Sequence, residues 1–271
     1  MRLAVRCRRQ VAERVLAELV TLAPGGVEEE AGADWIEYAI YGVPGELPAL
    51  PKLEAVAADG LVEVTSREIP DDWADRWRDF HEPVLVGGRV CVRPSWREPH
   101  PEALDVVVDP GQAFGTGAHP TTAMCLELLV ERAAAGSATG PLADWGTGSG
   151  VLAIAAEKLG FSPVVACDLE RAALQAAADN ARTNGVEIEL RRVDLRREPP
   201  PPAPTAVANL TAPLLRQVAS RLEAQPERLV CSGLLADEVE SVCEAFAGRG
   251  LAASEVRERS GWAAIAFESL A

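Results

Sequence analysis

The chain has 271 residues, 48% of them hydrophobic and 25% charged, a globular composition long enough for one large domain or two. Against 26 basic residues stand 41 acidic ones, and the net charge of −15 disfavours bare nucleic acid as a partner, because phosphate contacts need clustered Lys and Arg. No window approaches the ~18 consecutive apolar residues of a membrane span, and the opening MRLAVRCRRQVAERV lacks the continuous apolar core of a secretory leader.

The first segment, to about Arg67, has a pattern of its own. Leu3–Cys7 alternates as a strand, and Val11, Val15, Leu19 and Leu22 recur at helical spacing. After the breaker Pro24-Gly25-Gly26, two strand-like runs, Val27–Ala31 and Trp35–Tyr41, flank a turn at Gly32-Ala33-Asp34. A helix is expected over Leu47–Ala58 and a strand over Leu61–Ser66. Strand, helix, strand, strand, helix, strand is the order of a small α+β ferredoxin-like domain. Asp71–Phe80 reads as a connecting helix with Trp73 and Trp77 one turn apart, Val84–Pro94 as a hairpin around Gly87-Gly88, and Trp96–Glu102 as a polar loop.

From about Asp105, strands alternate with helices. The strands are Leu142–Trp145, Val164–Asp168, Glu187–Val193, Ala206–Asn209 and Arg228–Cys231. The helices are Thr121–Ala135, Val151–Leu159, Arg171–Asn184, Leu214–Leu222 and Glu238–Ala247. Such alternation predicts an α/β fold, a parallel sheet with helices on both faces. Ala252–Arg257 and Trp262–Glu268 flank Ser260-Gly261, so the last strand is expected to run antiparallel to its neighbour. The proline run Glu198–Pro204 reads as a stiff surface connection.

Four features carry chemistry. Asp144–Gly150 (DWGTGSG) follows an apolar run and opens a helix, and its glycines let the backbone turn sharply and approach a ligand. Its spacing is GxGxG. The third glycine of a dinucleotide fingerprint would fall at Val151, so the pattern suits S-adenosylmethionine, which has no phosphate, better than a pyrophosphate. Asp168 ends the strand VVACD, 22 residues after Gly146, where an acid accepts hydrogen bonds from ribose hydroxyls or caps a helix. Asn209 ends the fourth core strand, where its side-chain oxygen either meets an incoming amine or starts the next helix. Asp109–Thr122 (DPGQAFGTGAHPTT) is too rich in Gly and Pro for a regular element and suits a loop that closes over a ligand. Thr121 and Thr122 either bond that ligand or cap the next helix. His119 within it has no acid partner evident in the sequence, which favours a structural role over a general base. The six cysteines form no CxxC pair and the three histidines do not cluster with them, so neither metal nor disulfide framework is expected.

Asp109–Thr122 followed by Asp144–Gly150, Asp168 and Asn209 closely resembles the bacterial ribosomal protein L11 methyltransferases, and DWADRWRDFHEPVLVGGRVCVRPSW resembles that family's connecting segment. The chain departs from the family at Trp145 and Thr147, where a smaller apolar residue and a Cys are usual, and at Thr211, where an aliphatic residue is. The resemblance implies a class I S-adenosylmethionine-dependent methyltransferase: a Rossmann-like seven-stranded sheet with an antiparallel last strand. It places Thr122, Gly146, Gly148, Asp168 and Asn209 at the cofactor, with Phe114, Gly115 and Thr116 lining the same cavity; from its place at the strand end, Asn209 is also expected to orient the acceptor amine. It also implies a cytoplasmic enzyme, expected as a monomer, that methylates lysine side chains and an α-amine of a large-subunit ribosomal protein. The implied domains are 1–67 for substrate recognition, 68–104 as linker helix and hairpin, and 105–271 for catalysis. Two other readings share this core: a methyltransferase of another protein or a small molecule, and a non-catalytic cofactor-binding regulator. A nicotinamide oxidoreductase is disfavoured by the GxGxG spacing and the closing hairpin.

Overall fold

The structure is a computed structural model that describes residues 2–12, 15–16, 27–32, 34–41, 61–67, 81–109, 117, 119–136 and 140–270. The expected helices Leu47–Ala58 and Asp71–Phe80, most of Val11–Leu22, and Phe114, Gly115 and Thr116 lie outside the described residues. The chain divides into two compact units, Met1–Phe80 and His81–Ala271.

In the first unit, strands β1 (Arg2–Arg8), β2 (Glu28–Ala31), β3 (Trp35–Tyr41) and β4 (Leu61–Arg67) form one antiparallel sheet in the order β2-β3-β1-β4. Alternation along β1 sends Leu3, Val5 and Cys7 to one face, where they pack with Ala12, Val15 and Tyr38. On the opposite face the Arg6 guanidinium lies 4.1 Å from the Trp35 ring centroid and holds the nearly buried Glu37 with contacts of 3.0 and 2.8 Å.

The second unit opens with a small sheet of β5 (Val84–Val86), β6 (Val90–Arg93) and β7 (Leu104–Val107). The hairpin between β5 and β6 turns at Gly87 and Gly88, both at positive φ, which a two-residue turn of this hand requires. β7 is an unexpected third strand and runs parallel to β6. A parallel partner needs a crossover, so the local pattern carries no hairpin signal for it. The Arg93 guanidinium grips the Asp105 carboxylate with two bonds of 2.6 and 2.7 Å across this pair.

The main sheet follows, with β8 (Leu142–Trp145), β9 (Val164–Asp168), β10 (Ile188–Arg192), β11 (Thr205–Asn209), β12 (Arg228–Leu235), β13 (Leu251–Arg259) and β14 (Trp262–Ser269). Their order is β10-β9-β8-β11-β12-β14-β13, parallel from β10 to β12, with β14 antiparallel to both its neighbours. The helices are α1 (Pro120–Ala134), α2 (Val151–Leu159), α3 (Arg171–Asn184), α4 (Ala212–Arg221) and α5 (Val239–Ala247). Alternation along the strands feeds two cores. Leu142, Val207 and Val230 join α1 and α2 on one face, while Ala143, Ala206 and Leu229 join Leu215 of α4 and Phe246 of α5 on the other. Both edge strands carry charge, Glu189, Arg191 and Arg192 on β10 and Glu255, Arg257 and Glu258 on β13, which blunts edge-to-edge pairing.

Two expectations need correction. α4 begins at Ala212 rather than Leu214, because Thr211 is its N-cap and Pro213 sits in its first turn, where its missing N–H costs nothing. The proline run is only partly a surface connection: Pro200 and Pro201 are buried. The Pro201 carbonyl accepts the indole N–H of the buried Trp145 at 3.0 Å.

Candidate active site

Strands leave β8 toward β9 on one side and toward β11 on the other, so the order reverses between β8 and β11. Beyond the carboxyl ends of strands at such a reversal is where open α/β sheets bind ligands. The glycine turn after β8, Asp168 at the end of β9 and Asn209 at the end of β11 all stand there.

The glycine turn is held from within the protein. Gly146 and Thr147 both donate their N–H to the Cys167 carbonyl at 2.9 Å, Gly150 donates to Thr147, and Gly148 donates to Asp168 Oδ2 at 3.0 Å. Four amides that a phosphate-binding turn would aim at its ligand are thus spent. Asn180 of α3 clamps the turn from outside, its Nδ2 donating to the Ser149 carbonyl at 2.8 Å. Gly146, at φ +81°, leaves no room for a side chain: a Cβ there would lie 2.3 Å from Leu210 Cδ2.

Asp168 is not the N-cap of α3, a position held by Glu170. Its Oδ1 accepts the Glu170 N–H and its Oδ2 the Gly148 N–H, each at 3.0 Å. These two bonds fix the carboxylate at the strand end and leave lone pairs for a diol. Asn209 is likewise no helix starter, since Thr211 caps α4. Its Nδ2 donates to Thr122 Oγ1 at 3.1 Å, joining the end of β11 to the first turn of α1. Thr122 is not a cap either. His119 is the N-cap of α1, its Nδ1 accepting the Thr121 N–H at 3.4 Å and lying 2.8 Å from the Thr121 hydroxyl. The His119 ring also stands edge-on to Trp262 at 5.0 Å, and burial lowers its pKa below the usual value.

Thr122, Gly146, Gly148, Asp168 and Asn209 therefore collect at one end of the sheet, as the sequence placed them, while Phe114, Gly115 and Thr116 fall outside the described residues. Two further residues belong here. Asp144 is fully buried beneath the turn, its Oδ2 accepting the Thr147 hydroxyl at 2.6 Å. Burial pushes its carboxyl up to about 7, against the downward pull of that hydroxyl. The other is Gly233, a glycine inside the apolar run of β12 whose signal is that of a bulge. Among the described residues no group of three or more His, Cys, Asp or Glu is placed to hold a metal ion, and no helix is long and apolar enough to cross a membrane. The six cysteines are free thiols.

A family model described as ribosomal protein L11 methyltransferase (PrmA) matches residues 49–269. The ribosomal protein L11 methyltransferase of Symbiobacterium thermophilum is 37% identical over 258 residues, covering 92% of this chain and 84% of its own. That of Edwardsiella ictaluri is 43% identical over 235 residues, covering 84% and 77%. A crystal structure of ribosomal protein L11 methylase from Lactobacillus delbrueckii subsp. bulgaricus aligns with a TM-score of 0.62 and 27% identity, covering 70% of this chain and 98% of that one. The chain belongs to the ribosomal protein L11 methyltransferase family, and its second unit has the class I methyltransferase fold that the sequence implied.

Proposed function

We propose that the protein transfers methyl groups from S-adenosylmethionine to lysine side-chain and N-terminal amines of ribosomal protein L11. The observation that carries this reading is the Asn209–Thr122 hydrogen bond beside a glycine turn whose amides are already used. The donor set fits the cofactor. Asp168 offers a fixed carboxylate to ribose hydroxyls, Gly146 and Gly148 hold the turn after β8 at positive φ, and an acid at this strand end suits a cationic ligand better than a phosphate.

S-adenosylmethionine supplies an activated methyl group on sulfur, so the protein's task is to present a neutral amine. A lysine amine has an ordinary pKa of ~10.4, and its deprotonation at pH 7 costs about 4–5 kcal/mol. A partly desolvated site lowers that cost. Holding the amine in line is worth ~7–11 kcal/mol in favourable cases. Thr122 occupies the Nδ2 end of the Asn209 amide, which leaves Oδ1 to accept an amine N–H. Water takes the proton, and His119, committed to the cap of α1, is not needed as a base.

The remaining parts of the proposal concern the whole chain. The antiparallel order β2-β3-β1-β4 supports a ferredoxin-like first unit, to which we assign substrate recognition. Phe114, Gly115 and Thr116 are assigned to the cofactor cavity by family membership. The reading implies a cytoplasmic monomer that needs no metal and no nucleic acid.

The test is single-turnover methyl transfer from labelled S-adenosylmethionine to purified ribosomal protein L11. Wild type labels it, and Asn209→Ala binds cofactor but transfers much more slowly. An Asn209→Ala enzyme at full speed refutes the role of Asn209. Labelling of other proteins but not L11 refutes the substrate.

A further inference from the structure

Gly233 lies in β12, one strand beyond Asn209, and no step above uses it. The register of β12 against β14 slips at this point: Ser232 faces Ala264 and Leu234 faces Ala263, so Gly233 is the extra residue of a β-bulge. Its φ of +87° is open to glycine and strained for other residues. The bulge is pinned on the β14 side, where the buried Ser232 Oγ donates to the Ala263 carbonyl at 2.8 Å. On the β11 side, the Leu210 N–H donates to the Ser232 carbonyl at 2.9 Å.

What the bulge creates is a closely fitted seat. A Cβ on Gly233 would stand 2.7 Å from the Leu210 carbonyl oxygen, 2.8 Å from the Leu210 nitrogen and 2.9 Å from Asn209 Oδ1. Two of these atoms are backbone, so a side chain at 233 cannot be accommodated by a rotamer change alone. It must displace the 209–210 peptide and the carboxamide oxygen together. Leu210 has little room on its other side, where its Cδ2 would meet a Cβ on Gly146 at 2.3 Å. Leu210 is thus held between the glycine turn after β8 and the bulge in β12.

We infer that Gly233 is a positioning residue for methyl transfer: the bulge in β12 seats the Asn209–Leu210 peptide and so sets where Asn209 Oδ1 meets the acceptor amine. This rests on the reading of Asn209 as the residue that orients that amine. Thr122 fixes the carboxamide through Nδ2, and the absence of a side chain at Gly233 leaves the room that Oδ1 occupies, so elements far apart in the sequence set its place. A small displacement here acts on the geometry of attack, where ~1 Å costs on the order of a hundredfold in rate.

The experiment is a double-mutant cycle on single-turnover transfer to purified ribosomal protein L11, with S-adenosylmethionine affinity and melting temperature measured on each variant. Gly233→Ala is expected to slow transfer on the order of a hundredfold, with cofactor affinity changed only a few-fold. In the Asn209→Ala background the same substitution is expected to cost almost nothing. Gly233→Asn is the second variant, because Asn tolerates positive φ while still carrying a Cβ. Full activity in Gly233→Ala, an equal loss in both backgrounds, or loss of cofactor binding in both Gly233 variants would each overturn the proposal. If Asn209→Ala alone keeps its full rate, the reading of Asn209 fails. If Asn209→Ala is slow and Gly233→Ala is not, only the role of Gly233 fails.

Discussion

Asn209 Nδ2 donates to Thr122 Oγ1 across 3.1 Å and 87 positions of sequence, tying the end of one strand to the first turn of α1. Thr122 is fully buried, so this hydroxyl is not exchanged freely for water. Thr122→Val keeps the shape and removes the acceptor, leaving a carboxamide N–H unsatisfied. An orphaned polar group of this kind costs ~1–3 kcal/mol. Much of that cost is expected in the transfer step, where the amide must present Oδ1, and a loss of roughly tenfold in single-turnover rate follows. Thr122→Ser, which retains the hydroxyl, is expected to stay near wild type. Equal rates for the Val and wild-type enzymes would remove the orienting role from Thr122.

Asp168 holds two backbone amides, Gly148 and Glu170, each at 3.0 Å. Hydrogen bonds to a charged group are worth ~1.5–3 kcal/mol each. Asp168→Ala loses both and also loses the acceptor proposed for the ribose, so cofactor affinity is expected to fall by about a hundredfold or more. Asp168→Asn keeps one acceptor oxygen and is expected to fall between Ala and wild type. Calorimetric titration with S-adenosylmethionine measures this order. A reversed order would show that charge at this position hinders binding.

Asp144 gives the site a pH signature. Burial raises its carboxyl from the usual 3.8 to about 7, the Thr147 hydroxyl and the Ala153 N–H oppose this, and the charge on Asp168 adds to the rise. Oδ1 accepts no hydrogen bond. Between these two values the folded protein binds more protons than the unfolded chain, so this group lowers stability as pH rises and adds no further slope above about 7. Asp144→Asn removes the slope. Relative to wild type, the Asn variant is expected to gain stability as pH rises through this window. Thr147→Val removes an opposing influence and extends the window to higher pH. Urea unfolding across the pH series decides: a constant difference between Asp144→Asn and wild type would place a normal carboxyl at 144.

Much of this site was legible locally. Gly146, Gly148, Asp168 and Asn209 each sit at the end of a strand whose apolar run is plain in the sequence, and the turn spacing carried the choice of ligand. The loss at Gly233 has a physical reason. A glycine in such a run signals a strand end as well as a bulge, and the pairing with β14 is what decides for the bulge at Gly233. β7 leaves no local signal, because its partner is parallel and local patterning does not reveal such pairing. The start of α4 reads two residues late in the sequence because Pro213 looks like a breaker until Thr211 is recognised as the cap. The Thr122–Asn209 and Leu210–Gly146 contacts are products of packing.

Trp145 ties the proline run to the core. Its ring is buried among the α4 and α5 core residues, and its indole N–H donates to the Pro201 carbonyl. The proline run is thereby anchored rather than merely stiff. Trp145→Phe leaves that carbonyl without its donor, at ~1–3 kcal/mol, and Trp145→Ala adds a large cavity, for a total of ~3–5 kcal/mol. The loss is expected to free the segment first, because Arg196 and Arg197 just before it are already exposed. Limited trypsin digestion should therefore cut Trp145→Phe at these arginines faster than wild type, under conditions where both remain folded by circular dichroism. Identical cleavage rates would mean that Pro200 and Pro201 hold the segment by packing alone, and that the indole is tolerated at position 145 for its bulk rather than its N–H.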